Sequence, residues 1–396
     1  MQVWDGQNGS RISFDWSMQT AAFEDYKTVA SMIENSNLIN GLLARIDSLN
    51  VENQNLTIFD NTTVSSIRNG EDYGDGPDLS SWPMISLSHS SSATAIPSTI
   101  AARLLVGADG IKSPVRSFSD IETTGWDYDR HGVVATLSLA EPTIPQSTTS
   151  VRTAYQRFLP GLGGPIALLP LPNNRASLVW STTIEYAAYL KSLPVEAFIA
   201  MINAAFRLSM TDLVYMMGLD PTTTTRSMNI SQHQDELDWR LRHTFQPSIR
   251  SSLASSPLPP LVTSVQPGSV ASFPLRFRHA TSYTSPRVAL VGDAAHVIHP
   301  LAGQGLNLGL GDVASLSSAI EFAISHGMDI GDLLSLDRYA SDRYFVNAKV
   351  GGACDLLHKL YSIRGNGPIT WGRGLGLEAL DKLPILKGFL MKVAEG

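Results

Sequence analysis

The sequence predicts a mixed α/β protein: a strand–turn–helix unit, an antiparallel sheet inserted in the middle of the chain, and helices at the C-terminus. Three observations lead to this prediction. Four apolar residues, Val288–Val291, precede an acidic turn and a glycine-rich helix start. Residues 130–186 alternate apolar and polar side chains, with turn residues between the runs. After residue 330, apolar residues recur at helical spacing.

The stretch Pro286–Ser318 has the most informative residue order in the chain. Its strand breaks at Gly292-Asp293, a proline follows where a helix can begin, and Gly303 and Gly305 come next. The apolar positions of the helix after them are Leu306, Leu310, Val313, Leu316 and Ile320. A glycine-rich helix start offers free backbone N–H groups to an electron-rich ligand, and it lets a large planar group approach the backbone. The carboxylate after the strand is placed to accept hydrogen bonds from hydroxyls of that ligand.

A second apolar strand also ends in an acidic turn. Leu104–Ala108 runs into Asp109-Gly110, and Ser113 and Arg116 follow. Taken alone, Asp109-Gly110 indicates only a tight turn.

The first hundred residues predict one helix and short strands. Ser36–Leu49 predicts a helix capped by Asn37, with an apolar stripe made of Leu38, Leu42, Leu43 and Ile46. Leu56–Phe59 predicts a strand. Residues 68–100 are rich in Gly, Ser, Asp and Pro, which predicts an insertion of loops carrying a short strand around Met84–Leu87.

The remaining segments complete the outline. Pro194–Leu208 predicts a helix from its apolar spacing, and Phe273–Phe277 predicts a strand. Residues 220–270 are polar or rich in Ser and Pro, and we interpret them as an irregular, partly mobile insertion. The last residues, 370–396, mix apolar residues with lysines. They predict either a helix docked on the protein's own core or, less favoured, an amphipathic helix that touches a membrane.

Composition excludes several classes of protein. The 396 residues carry a formal net charge of −7, which argues against a nucleic-acid binder, and 43% hydrophobic with 16% charged residues fits a globular protein. A single cysteine, Cys354, excludes an internal disulfide framework and a cysteine-based zinc site. No run of eighteen apolar residues predicts a membrane-spanning helix, and the first residues resemble neither a signal nor a transit peptide.

The order G-D-A-A-H, three residues, then P-x-x-G-Q-G-x-N-x-G, resembles the flavin-binding motif of the para-hydroxybenzoate hydroxylase-like FAD monooxygenases. The strand that ends in A-D-G-x-x-S-x-x-R resembles the second motif of that family. The resemblance implies FAD as cofactor, with its ribityl chain on Asp293, its isoalloxazine against Pro300 and the glycines after it, and its pyrophosphate near Arg116. The cofactor-binding residues that it implies are Asp109, Gly110, Arg116, Gly292, Asp293, Pro300, Gly303, Gln304, Gly305 and Asn307.

The resemblance also implies a Rossmann-like FAD-binding domain, incomplete in this chain, with an inserted antiparallel-sheet substrate domain. The expected parts are residues 1–125 for the FAD-binding domain, 126–280 for the substrate domain, 281–330 for the return to the FAD-binding domain, and 331–396 for C-terminal helices. A strand, G-x-G-x-x-G, a helix and an acidic residue about 20 positions later should open such a domain. The sequence contains no such fingerprint. We therefore expect a fragment or an incomplete gene model, and a shortened isoform is the alternative.

Further segments narrow the resemblance to the flavin hydroxylases of ubiquinone biosynthesis. Ala154–Pro160, Gly164–Leu171 and Phe273–Leu275 resemble that group, and residues between Asp342 and Ser362 resemble its mitochondrial, coenzyme Q branch. The resemblance implies hydroxylation at C5 of a 3-polyprenyl-4-hydroxybenzoate through a C4a-hydroperoxyflavin. A flavin enzyme acting on another phenol or isoprenoid, and a non-catalytic scaffold subunit of the ubiquinone-synthesis complex, are the competing hypotheses.

The same resemblance implies the partners and the location. They are the prenylated substrate and O₂, ferredoxin with its reductase as electron source, and other ubiquinone-biosynthesis proteins in a complex. The implied location is the matrix side of the mitochondrial inner membrane, in peripheral contact with it. No nucleic-acid partner is expected.

Three further side chains stand out, but the motifs assign no acid–base residue. Arg157 is a candidate to bind a substrate carboxylate, and a salt bridge on the sheet surface explains it equally well. His299 is a second substrate candidate, and we interpret His296 as a structural residue of the turn. Because no further His, Asp or Glu cluster has ligand spacing, we expect no metal site.

Overall fold

The computed structural model describes residues 1–14, 30–53, 56–72, 74, 76, 78–89, 97–141, 153–218, 232–244, 258–363 and 367–383. The chain divides into two compact units. The first comprises the described residues of Met1–Ile33, Asp127–Leu275 and Leu356–Ala394, and the second those of Glu34–Trp126 and Arg276–Asp355. Both units mix helices with sheet, as the sequence predicts.

The strands, numbered in chain order, are β1 Gln2–Asp5, β2 Arg11–Ser13, β3 Thr62–Asn69, β4 Pro83–His89, β5 Thr99–Ala101, β6 Leu105–Gly107, β7 Thr123–Leu139, β8 Tyr155–Leu159, β9 Gly164–Leu171, β10 Arg175–Thr183, β11 Val262–Val265, β12 Ala271–Ala280, β13 Thr284–Ser285, β14 Val288–Leu290 and β15 His296–Val297. The α-helices are α1 Asn35–Asn53, α2 Pro114–Phe118, α3 Ile184–Ser192, α4 Val195–Arg207, α5 Met210–Met216, α6 Gln232–Thr244, α7 Gly305–Ser325, α8 Leu333–Ser362 and α9 Pro368–Lys382.

The first unit is built on an antiparallel sheet with the strand order β7-β10-β9-β8-β1-β2, and β11 pairs with the outer side of β7. The predicted antiparallel sheet over residues 130–186 is confirmed. One pairing departs from the pattern, because β1 lies parallel to β8 with Val3 opposite Gln156. Trp180 of β10 lies between Ile166 and Val133, and all three side chains are fully buried.

Helix α4 covers this buried face of the sheet. Its apolar residues recur at helical spacing, so Phe198, Met201, Ile202 and Phe206 enter the same core as the strand residues. Trp4 of β1 packs against Phe206 with ring centroids 6.0 Å apart. The predicted helix Pro194–Leu208 is therefore confirmed, and its apolar stripe accounts for much of the core of the first unit.

A buried ion pair fastens α9 to the N-terminal hairpin within the first unit. Arg373 donates from Nε to Oδ2 of Asp5 at 2.8 Å, and neither side chain is exposed to solvent. The backbone N–H of Gln7 donates to the other oxygen of Asp5, and Nη1 of Arg373 donates to the carbonyl of Leu360. Since these bonds satisfy both charged groups, the burial of the pair is tolerated.

The second unit contains a parallel pair of strands, β6 and β14, with β13 antiparallel on the other side of β14. A separate antiparallel sheet contains β3, β4 and β5. The core around β14 consists of Val115, Ala280, Tyr283, Val288, Ala289, Leu290, Val291, Ala294, Ala295, Leu316, Ala319, Leu336 and Tyr339.

Helix α7 follows the glycine-rich stretch, as predicted. Of the described helices, it is the one that is long and apolar enough to cross a membrane, judged by length and composition alone. A helix packed in a protein core passes the same test. Leu308, Leu316 and Ala319 are buried in the second unit while Leu310, Val313 and Ile324 are exposed, and length and composition alone do not establish a membrane span.

Several sequence expectations differ from the structure. Leu56–Phe59 is not a strand; it leads into a turn with Asn61 in a left-handed conformation (φ 52°), and the strand β3 begins only at Thr62. Within residues 68–100, the predicted short strand around Met84–Leu87 is confirmed as β4, but β4 lies in a three-stranded sheet with β3 and β5 rather than in a loop insertion. The predicted helix at Ser36 forms, but its apolar stripe does not reach a core: Leu42 is 53% and Leu43 43% exposed.

Two further expectations concern segments that are only partly described. Residues 220–270 were expected to be irregular, yet their described parts contain helix α6 and strand β11, since the polar segment also holds Leu237, which is buried in the core of the first unit. In the tail, α9 ends at Lys382, and the expectation for residues 384–396 lies outside the described residues.

Removing the charge of Arg373 should destabilise the first unit strongly. In Arg373→Leu the carboxylate of Asp5 stays buried without its cation, and we expect a loss of about 3–5 kcal/mol of unfolding free energy. Urea denaturation followed by tryptophan fluorescence measures it. As a control, Arg68→Gln breaks an exposed ion pair with Glu71 and should cost at most about 1 kcal/mol. Equal losses in the two variants would contradict this account of the buried pair.

Candidate functional site

Two acidic turns of the second unit lie at the same edge of its parallel sheet. Leu290 is opposite Gly107, so β6 and β14 end side by side. Asp109 follows the first strand and Asp293 follows the second. Because ligands of α/β proteins bind beyond the carboxyl ends of parallel strands, this juxtaposition marks the candidate site. The structure thus brings together the two motifs that are far apart in the sequence.

The turn after β14 presents Asp293 to solvent. Gly292 adopts a left-handed conformation (φ 58°), which glycine takes without the strain that a side chain would add. The turn closes with a hydrogen bond of 2.8 Å from the N–H of Ala295 to the carbonyl of Gly292. Among the described residues no hydrogen-bond partner of the Asp293 carboxylate is found, so the carboxylate is available to a ligand.

The glycine-rich stretch forms an uncapped helix start. A short 3₁₀ helix, Pro300–Ala302, ends at Gly303, whose φ of 63° turns the chain into α7. Gln304 precedes the first residue of α7 but makes no side-chain capping bond, and its Oε1 instead accepts from Nδ2 of Asn307 at 3.3 Å. A Cβ added at Gly303 or Gly305 would meet no atom within 4 Å. The helix start therefore offers free N–H groups and open space beside the backbone.

The turn after β6 is held by its own side chains. Oδ2 of Asp109 accepts from the N–H of Val115 at 3.1 Å, and Ser113 caps α2 by accepting from the N–H of Arg116 at 2.9 Å. Gly110 lies between them with a positive φ of 81°. The Asp109 side chain remains exposed at this edge, so it is accessible to a ligand.

Arg116 joins the two acidic turns. Its Nη1 donates to the carbonyl of Ala294 and its Nη2 to the carbonyl of Ile111, both at 2.7 Å. Ala294 is adjacent to Asp293, and Ile111 follows Asp109 by two residues. The guanidinium predicted to lie near the pyrophosphate is thus engaged with backbone carbonyls. Sequence reasoning missed this connection because neither carbonyl has a sequence signature.

Arg157, the substrate candidate of the first unit, serves the backbone instead. Its side chain is only 6% exposed, and it donates to the carbonyls of Ala205 and Leu208 at 2.8 Å each, at the end of α4. Burial lowers the pKa of Arg157 to about 10, which leaves it charged at neutral pH. Neither a surface salt bridge nor a carboxylate contact describes this residue. It stabilises the C-terminal end of a helix.

The two histidines near the turn have different surroundings. Nδ1 of His299 accepts from the N–H of Leu301 at 3.2 Å, so this side chain caps the 3₁₀ helix. His296 is buried, and its Nε2 donates to Oδ2 of Asp312 at 2.6 Å. No group of His, Cys, Asp and Glu that could hold a metal ion occurs among the described residues.

Sequence reasoning overlooked Asp312, the partner of His296. This carboxylate is 0% exposed on α7 and accepts hydrogen bonds from side chains of α8 as well. Burial raises its pKa, but the hydrogen bond and charge of His296, with further bonds from Asn347 and Gly292, outweigh burial and hold the pKa below the ordinary value. An acidic residue within the first turns of an otherwise apolar helix was the available signal.

These residues fit FAD. Asp293 is an exposed acceptor at the end of a strand, where it can bind ribityl hydroxyls. The open space at Gly303 and Gly305, next to uncapped N–H groups, suits a planar ring that gains negative charge when reduced. Asp109 adds a second exposed carboxylate at the same edge.

Comparison with known proteins agrees with this geometry. The sequence model of the FAD-binding domain family matches residues 85–351, which include both turns. The chain is 40% identical over 396 residues to a protein of Schizosaccharomyces pombe named ubiquinone biosynthesis monooxygenase COQ6, mitochondrial, covering 99% of this chain and 74% of that protein. The human protein of the same name is 34% identical, with 100% of this chain and 75% of that protein covered.

Solved structures share the fold. p-Nitrophenol 4-monooxygenase PnpA from Pseudomonas putida matches with a TM-score of 0.62 and 17% identity, covering 100% of this chain and 80% of that one. PqsL from P. aeruginosa, in complex with 2-aminobenzoylacetate, matches with a TM-score of 0.58 and 19% identity, covering 95% and 79%. The family model and the curated relatives show that the chain is a FAD-dependent monooxygenase, with FAD as its cofactor. Within that class, the chain belongs to the family of the ubiquinone biosynthesis monooxygenases.

Replacing Arg116 by lysine tests whether it joins the turns or binds the pyrophosphate. Lysine keeps the charge but has one nitrogen in place of the two that donate to Ala294 and Ile111, so the flavin-free protein should lose about 1–3 kcal/mol of unfolding free energy. Arg103→Lys, at an exposed ion pair with Asp329, is the control and should lose at most about 1 kcal/mol. If Arg116→Lys kept its stability without flavin and only weakened FAD binding, pyrophosphate contact would be its main role.

Proposed function

We propose that this chain hydroxylates C5 of a 3-polyprenyl-4-hydroxybenzoate in ubiquinone biosynthesis. The observation that carries the proposal is the meeting of Asp109, Asp293 and the glycine-rich start of α7 at one edge of the parallel sheet. Relatives named ubiquinone biosynthesis monooxygenase align with nearly the whole chain and support the pathway, while the substrate itself is part of this proposal.

The residues at the sheet edge have separate tasks toward FAD. Asp293 accepts hydrogen bonds from the ribityl chain, and the N–H groups at Gly305 and the residues after it face the electron-rich side of the ring system. Pro300, Gly303, Gln304 and Asn307 shape the surface on which the ring lies. Asp109 and Gly110 hold a second part of the cofactor. When bound and reduced, FAD supplies the activation of O₂ that inserts one oxygen atom into a phenol ring.

Hydroxylation of an electron-rich phenol requires correct positioning of the ring and exclusion of water from the site more than it requires acid–base catalysis. We therefore assign no catalytic acid or base to the chain. In this proposal residues 126–280 are the substrate domain and supply an apolar surface for the ring and its prenyl chain. The FAD-binding domain comprises residues 34–125 and 281–330; residues 1–33, which the sequence assigns to it, belong to the first unit because β1 pairs with β8 there. Residues 331–396 add C-terminal helices.

The proposal extends to electron supply and location. Relatives of the same family are named mitochondrial, which supports a mitochondrial site of action. We propose peripheral attachment to the matrix side of the inner membrane, electrons from ferredoxin and its reductase, and assembly with other ubiquinone-biosynthesis proteins. Co-purification of those proteins with flavin-free chain would favour a scaffold over an enzyme.

Asp293→Ala should weaken FAD binding by roughly tenfold or more, because a charged acceptor of the ribityl hydroxyls is lost. Flavin fluorescence titration of the purified chain measures the Kd. Asp337→Ala is the matched control, since Asp337 is another exposed aspartate of the second unit and should leave the Kd unchanged. Unaltered FAD affinity in Asp293→Ala would rule out the role given to this carboxylate.

Substrate choice is tested with chemically reduced, FAD-loaded chain under labelled dioxygen. We expect one labelled oxygen atom at C5 of a 3-polyprenyl-4-hydroxybenzoate, detected by mass spectrometry, and far less product from 4-hydroxybenzoate. The long prenyl chain should contribute most of the binding free energy, since each buried CH₂ adds about 0.8 kcal/mol. Equal turnover of prenylated and unprenylated phenols would point to a different phenolic substrate.

A further inference from the structure

The buried carboxylate of Asp312 is the centre of a polar junction in the second unit. Its Oδ2 accepts from the N–H of Gly292 at 3.0 Å and from Nε2 of His296 at 2.6 Å. Its Oδ1 accepts from Nε of Arg343 at 3.1 Å and from Nδ2 of Asn347 at 2.8 Å. Four donors from two parts of the chain, the turn after β14 and helix α8, thus converge on one carboxylate. Both of its oxygens are satisfied, so its burial is tolerated.

One of these donors belongs to the turn that presents Asp293. Gly292, in its left-handed conformation, donates its N–H to Asp312, and Asp293 is the next residue. About one turn before Asp312 on α7, a Cβ at Gly309 would lie only 3.4 Å from Cα of Gly292, so the turn and α7 are in close backbone contact. Position and direction of the Asp293 backbone are therefore set by α7 through Asp312.

The same helix supplies the glycine-rich start of the site. Gly305 lies seven residues before Asp312, about 10 Å along the helix axis. Asp312 thereby fixes the distance between the exposed carboxylate and the free N–H groups, which are the two halves of the surface that receives the cofactor. Asp312 has no exposed surface of its own, so it reaches a ligand only through these neighbours.

Side chains of α8 also hold the junction in place. Arg343 donates from Nη2 to the carbonyl of Leu308 and to Oδ1 of Asn347. A Cβ at Gly311 would come within 2.6 Å of the Arg343 guanidinium, so the helix is narrow where this side chain crosses it. His296, fixed by Asp312, lies three residues beyond Asp293 and holds the far end of the turn.

We infer that Asp312 is a positioning residue of the flavin site: it holds the Gly292-Asp293 turn against α7 and so sets where the Asp293 carboxylate meets the cofactor. The inference rests on the proposed function, because the ligand of Asp293 is taken from it. A residue that only stabilised the core would affect unfolding without acting through Asp293.

A double-mutant cycle between Asp312→Asn and Asp293→Ala separates these roles. We expect Asp312→Asn to raise the Kd for FAD by roughly tenfold, and the double variant to bind about as weakly as Asp293→Ala alone. The circular dichroism of the bound flavin should also change in Asp312→Asn. Tyr339→Phe is the control, because it removes a buried hydrogen bond to the carbonyl of Leu290 in the same core without touching the turn. It should lower the unfolding midpoint, change the Kd by less than about twofold, and combine multiplicatively with Asp293→Ala.

Amide hydrogen exchange on the flavin-free chain adds a readout that needs no ligand. The peptide containing Gly292 should exchange faster in Asp312→Asn and at the wild-type rate in Tyr339→Phe. If Asp312→Asn fails to fold, Asn347→Ala replaces it, since this variant removes one donor from Oδ1 and leaves the bond to Gly292 available. Asn347→Ala should raise the Kd for FAD less than Asp312→Asn does. Its effect, too, should not multiply with that of Asp293→Ala in the double variant.

Three outcomes overturn the inference, and they are distinguishable. Multiplicative effects of Asp312→Asn and Asp293→Ala would reduce Asp312 to a structural residue. Unchanged FAD affinity and unchanged exchange at Gly292 would remove its link to the turn. Folded wild-type chain that binds no FAD would overturn the proposed function itself, and the positioning role with it.

Discussion

The parallel pairing of Leu105–Gly107 with Val288–Leu290 is the constraint on which the site depends. Parallel strands end at the same edge of a sheet, so the turns that follow them become neighbours although most of the first unit lies between them in sequence. The N–H of Val291 extends the pairing by donating to the carbonyl of Gly107. Arg116 then links the two turns through backbone carbonyls. The position of each turn therefore depends on the position of the other.

Buried charged side chains in both units form hydrogen bonds with backbone groups. In the first unit Arg157 satisfies carbonyls at the end of a helix, and in the second Asp312 satisfies the N–H of a left-handed glycine. Helix ends and irregular turns leave polar groups without the partners that regular structure provides, and burying such groups unpaired costs free energy. A charged side chain makes the stronger hydrogen bond, which offsets part of its own desolvation. Arg157 and Asp312 therefore have the same structural role: each satisfies buried backbone groups that regular secondary structure leaves without partners.

The sequence predicted those parts of the fold that repeat locally. Helix α4 and the antiparallel strands follow from side-chain periodicity, and the two acidic turns follow from motifs whose residues are consecutive. What could not be predicted depends on partners distant in the chain. Nothing near Arg116 identifies the carbonyl of Ala294, and nothing near Asp312 identifies Asn347 on another helix. The stripe containing Leu42 shows the same limit, because spacing predicts an apolar face without predicting what covers it.

Asp293 is exposed and Asp312 is buried, and this difference explains why one residue meets the ligand and another holds the turn in place. Asp293 must be exposed to meet a ligand, and an exposed side chain has few contacts that could fix its direction. The direction has to come from the backbone, and the backbone of a glycine turn is the least restricted in the chain. A buried acceptor for the N–H of Gly292 removes that freedom without occupying the ligand's space. Asp312 meets this requirement nineteen residues after Asp293 and three residues after Gly309, the last residue of the motif. A chain could keep every residue that touches the cofactor and still bind it poorly if this acceptor were lost.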